Sequence, residues 1–62
     1  PALVRLAATA LHQRGVVYEE SQRPLAAAEA YRAAQAQWRR LPDGDTAGQA
    51  TARRLGGLRG GG

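Results

Sequence analysis

The chain contains no cysteine, methionine or phenylalanine, and lysine, isoleucine and asparagine are missing as well. Without cysteine there is no disulfide to constrain the fold and no thiolate to hold a metal, and the redox state of the compartment leaves no mark. Aromatic residues are reduced to Tyr18, Tyr31 and Trp38. The hydrophobic fraction of 44% is inflated by alanine, so the bulk available for a core is a few Leu and Val residues and those three rings. In 62 residues that stock makes a small core, and the chain is expected to draw stability from neighbours: more chain, another copy or a partner. No apolar run is long enough to span a bilayer, and no signal-peptide arrangement is present, which leaves a cytoplasmic location as the default expectation. Pro1 in place of an initiating Met leads to the expectation of processing or of excision from a longer chain.

What is abundant is Ala, Gly and Arg. The nine basic residues are all Arg, and against five acidic ones they leave a net charge of +4. That balance is compatible with a nucleic-acid partner. An Ala/Gly/Arg-rich composition without Lys is, more simply, what a GC-rich coding sequence yields without selection for charge.

Helical spacing dominates the pattern. Over 2–20, Val4, Ala7, Leu11, Arg14 and Tyr18 recur at intervals of three and four, with Leu3, Ala10 and Val17 widening the stripe. Gly15 interrupts this helix, and the usual reason for such a glycine is the close approach of a second helix. The run Ser21-Gln22-Arg23-Pro24 breaks the helix, since proline cannot continue it but suits the first turn of the next. A second helix is predicted over 24–40, with Ala27, Tyr31, Ala34, Trp38 and Leu41 on one face and Arg39 and Arg40 in the last turn. So short a connection makes the two helices antiparallel. Pro42-Asp43-Gly44-Asp45 reads as a turn. A weaker third helix over 46–58 follows, capped by Thr46 or Asp45, with Ala47, Ala50, Leu55 and Leu58 as a thin apolar face. The Gly-rich residues 59–62 are expected to be flexible.

Leu11-x-x-Arg14-Gly15-x-x-Tyr18, followed by Ala27-x-x-x-Tyr31-x-x-Ala34, resembles the tetratricopeptide-repeat family. The likeness covers about residues 8–58. Arg14 stands where the family usually has Leu, which suggests an edge repeat. Leu55-Gly56 resembles the Leu-Gly of a following repeat, although Arg59 replaces its Tyr. The resemblance implies a helical hairpin in a protein-interaction scaffold, with the first helix lining a groove for partners. Carried over position by position, the groove residues are Thr9, His12, Val16 and Glu19. Members of the family that clamp a C-terminal carboxylate carry Lys and Asn where this chain has His12 and Val16, so that ligand class is disfavoured.

Residues for catalysis are few. His12 has no carboxylate three or four residues away to orient it and no second ligand at helical spacing for a metal. Ser21 and Thr46 read as turn and cap residues, and Thr9 and Thr51 lie on helices. Glu19-Glu20 is either an acid pair or, more simply, a solvated helix end. Arg59-Gly60-Gly61 matches an RNA-binding tripeptide, but a single copy without interleaved aromatics is read as a plain flexible chain end. Arg32, Arg39, Arg40, Arg53 and Arg54 form either a basic surface or an ordinary solvated face.

The expectation is therefore an all-α protein: an antiparallel hairpin, a short third helix and a Gly-rich end, with no catalytic site, cofactor or metal. Its expected role is a protein-protein interaction scaffold whose partner is a protein or peptide: further repeats, another copy or a larger subunit. The competing readings are a basic helical component of a ribonucleoprotein and a self-associating bundle.

Overall fold

The computed structural model describes residues 2–61, with side chains as far as Leu58. It contains α1 (Ala2–Glu20), α2 (Pro24–Trp38), the single turn α3 (Gly44–Ala47) and α4 (Gln49–Gly61). No strand occurs among the described residues. The fold is the all-α hairpin with short further helices that the helical spacing predicts.

The end of α1 is set by backbone hydrogen bonds rather than by a side chain. Arg23 N–H donates to the Tyr18 carbonyl (2.8 Å) and Gln22 N–H to that of Glu19 (3.0 Å), which is the Schellman arrangement. The residue that turns the chain is Gln22, at φ 61°, in the left-handed region that normally favours glycine. Pro24 then opens α2, where its missing N–H costs nothing.

The core is built of small residues around one large one. Tyr31, Ala27 and Ala34 of α2 and Ala8 of α1 are fully buried, and Gly15 is buried opposite. A Cβ on Gly15 would run into the Tyr31 ring. Small residues on both helices thus let the two backbones close around a single phenol.

The predicted face of α2 is correct: Ala27, Tyr31 and Ala34 are buried, Leu41 just beyond the helix is nearly so, and Trp38 is half-buried. The face of α1 is rotated. The line that meets α2 runs through Val4, Ala8, His12, Gly15 and Glu19, while Leu3, Ala7, Ala10, Arg14 and Val17 are exposed and Tyr18 is only half-buried. Apolar residues occupy much of the circumference of α1, so periodicity alone does not select a side. The close approach of Gly15 to Tyr31 does.

The second helix stops at Trp38 rather than Arg40, so Arg39 and Arg40 belong to the turn that follows. The third predicted helix is divided into α3 and α4 at Gly48. Gly44, which opens α3, and Gly48, which separates it from α4, are both close approaches to Trp38. A Cβ on Gly44 would overlap the Trp38 carbonyl, and one on Gly48 would crowd the Trp38 side chain, 3.2 Å from its Cβ. Neither Thr46 nor Asp45 caps the segment. Asp43 holds the N-cap position without a side-chain capping bond, because both its carboxylate oxygens accept hydrogen bonds from Arg5 at 2.7 Å. That bond holds the Asp43 carboxyl below its ordinary pKa.

On α4 the inward residue is Thr51, with Leu55 and Leu58 half-buried; Ala50 is exposed. The helix continues through Gly61, past the predicted boundary at 58, and Gly62 lies outside the described residues. Arg5 meets Asp43, His12 meets Thr51 and Glu19 meets Arg54, so α4 runs parallel to α1 and antiparallel to α2.

Candidate interaction surface

Two polar clusters tie the three long helices together, and each takes one residue from α1, α2 and α4. In the first, Trp38 Nε1–H donates to Thr51 Oγ1 at 3.1 Å, and the same oxygen lies 2.8 Å from His12 Nδ1. With the indole proton directed into Oγ1, the hydroxyl proton is free to go to Nδ1, an arrangement that leaves the imidazole proton on Nε2. In the second, the Tyr31 hydroxyl donates to the Glu19 carboxylate, which also accepts from Arg54 Nη1 at 3.3 Å. The His12 and Tyr31 rings, with centroids 5.4 Å apart, join the two clusters. Burial lowers the His12 pKa and nearby Arg54 lowers it further, against an opposing pull from Glu19. Burial raises the Tyr31 pKa, and donation to Glu19 adds to the rise.

Thr51 is 1% exposed, so no substrate reaches the one hydroxyl beside the histidine. The Glu19 carboxylate is engaged by Tyr31 and Arg54 rather than orienting His12. Among the described residues, no group of His, Cys, Asp and Glu could hold a metal ion.

Of the groove positions implied by the resemblance, Thr9 is exposed and Val16 is half-buried. His12 and Glu19 are already engaged by α4. Nothing in the periodicity of α1 marks them as internal partners. The missed residue is Thr51, and its signal was its place one turn before Leu55 on the thin stripe of α4.

The open face lies between α1 and α2. Leu11, Tyr18, Ala26, Ala30 and Ala33 line a groove of about 280 Å³, with Arg14 on the α1 side and Glu29 on the α2 side. Leu3 (80% exposed) extends its α1 side through Ala7 at helical spacing. Leu11, Arg14 and Tyr18, which periodicity assigns to the core face of α1, therefore line this outer groove. Arg32, Arg39, Arg40 and Arg53 are exposed elsewhere on α2, the turn and α4.

No protein-family model, characterised protein or solved structure matches the chain. No helix of the described residues is long and apolar enough to cross a membrane.

Proposed function

We propose that this chain is a non-catalytic helical-hairpin module, similar to an edge unit of the tetratricopeptide-repeat family, that docks another protein against its α1/α2 face. The observation that carries the reading is the open groove of Leu11, Tyr18, Ala26, Ala30 and Ala33, continued by exposed Leu3. Contiguous exposed apolar surface rimmed by polar residues is a mark of protein interaction sites. The packing of Gly15 against Tyr31, with Ala27 buried beside them, supports the family likeness. Since His12 and Glu19 hold α4, the reading moves the partner to the side away from them. Arg14, the departure from the family pattern, stands at the edge of that surface.

A photo-cross-linking residue placed at Ala33, inside the groove, and separately at Arg53, outside it, tests the reading in the cells that make the protein. Protein adducts from position 33 and none from position 53 are expected. Adducts to nucleic acid, with retention that falls steeply as salt rises, would replace this reading with the ribonucleoprotein alternative.

A further inference from the structure

The groove carries a charge pattern that complements its own image. Arg14 and Glu29 stand on opposite rims, both are exposed, and neither forms an ion pair among the described residues. Their heights along the hairpin match. At the rise of an α-helix, Arg14 lies about 9 Å before Glu20 and Glu29 about 7.5 Å after Pro24, which puts them at nearly the same level above the α1–α2 turn.

We propose that two copies of this chain pair face to face through the α1/α2 groove, about a two-fold axis parallel to the helices, forming a four-helix bundle. This deepens the docking reading above and rests on it. Rotation by 180° about such an axis lays α1 against the partner's α2. Each Arg14 then faces the partner's Glu29 at the same height, so one surface makes the ion pair twice, as a self-complementary interface requires. Between the charges, Leu11 and Tyr18 of one copy meet Ala26, Ala30 and Ala33 of the other. Alanine on the facing helix permits axes about 8 Å apart, the close end of helix packing.

A standard interface takes about 800 Å² from each partner, roughly a fifth of the 4363 Å² that the chain exposes, and the molecule is 33 Å long. Pairing also supplies what this core lacks, since among the described residues the largest fully buried side chains are Tyr31 and Thr51.

Sedimentation equilibrium of the purified chain, from micromolar to submillimolar concentration, tests the pairing. A dimer is expected. Arg14→Glu and Glu29→Arg should each weaken it about tenfold or more, because each places like charges together at two symmetric points. The double variant Arg14→Glu/Glu29→Arg should return to within a few-fold of the original dissociation constant. Compared at a dilution where all four proteins are monomeric, helicity by circular dichroism should be the same in each, which separates lost pairing from lost folding. A monomer at every concentration, open-ended association beyond two, or a double variant no tighter than the singles would overturn the proposal. Protein adducts from Ala33 to a different chain, found together with a monomeric purified protein, would remove the pairing and leave the docking reading standing.

Discussion

The Thr51 hydroxyl lies 2.8 Å from His12 Nδ1 while it accepts the Trp38 indole proton, so one buried oxygen joins all three long helices. A hydroxyl in that position is the cheapest group that can satisfy both rings, because it donates and accepts at once. Thr51→Val keeps the shape and removes both bonds, leaving two partly buried ring nitrogens unpaired. The expected loss is about 1–3 kcal/mol, read from urea unfolding followed by circular dichroism. Thr51→Ser retains the hydroxyl and should lose less. A larger loss in Thr51→Ser than in Thr51→Val would mean that the γ-methyl, rather than the oxygen, matters at this site.

The same contact makes stability depend on pH. The His12 pKa is lowered in the fold by burial first and by Arg54 second, so the folded state favours neutral imidazole. Its contribution is fully present above the unfolded value of 6.5 and is lost as pH falls below it, where the unfolded chain binds the proton more readily. The protein should be less stable at pH 5.5 than at pH 7.5. His12→Gln should flatten the profile over that interval. Asp43 does not interfere: its pKa is depressed from 3.8, so its contribution is lost only at more acid pH. An unchanged slope in the His12 variant would assign the dependence to another group.

Gln22 holds φ 61° at the end of α1, a conformation that costs a side chain about 1–2 kcal/mol. Gln22→Gly removes that strain and adds back some entropy in the unfolded chain. A net stabilisation of about 0.5–1 kcal/mol is expected, measured as a higher urea midpoint with unchanged slope. A destabilised variant would show that the Gln22 side chain makes a contribution of its own.

Two glycines inside helices should respond in opposite directions to the same change. Gly15→Ala drives a methyl into the fully buried Tyr31 ring and should cost about 1–3 kcal/mol by overpacking. Gly56 has no atom within 4 Å of a Cβ built on it, so Gly56→Ala should stabilise by up to about 1 kcal/mol through helix propensity. Thermal melts of the two variants, at matched concentration, decide the matter. A neutral Gly15→Ala would place Tyr31 somewhere other than against that backbone.

A companion test separates the two faces of α2. Ala27 is fully buried against α1, whereas Ala33 opens into the groove. Ala27→Leu should therefore destabilise by about 1–3 kcal/mol. Ala33→Leu should leave helicity unchanged at dilute concentration, where the groove is empty. Comparable losses would put both alanines in the same layer.

The residues alone determine that the chain is helical, that it reverses at Ser21–Pro24, and which side of α2 is buried. Local rules suffice for those features: apolar spacing of three and four, a proline that ends one helix and opens another, and an α2 whose large apolar residues mostly lie on one line. They do not suffice for α1, which carries Leu, Val and Ala around much of its circumference. Its inward side follows from the steric fit of Gly15 to Tyr31, a contact between residues on different helices that no single-helix pattern contains. The break at Gly48 and the burial of Thr51 depend likewise on where Trp38 arrives. His12 and Glu19 look like surface groups on a helical wheel and become internal partners only because α4 returns alongside α1. Polar satisfaction across three helices is a property of their arrangement, and only the tertiary structure decides it.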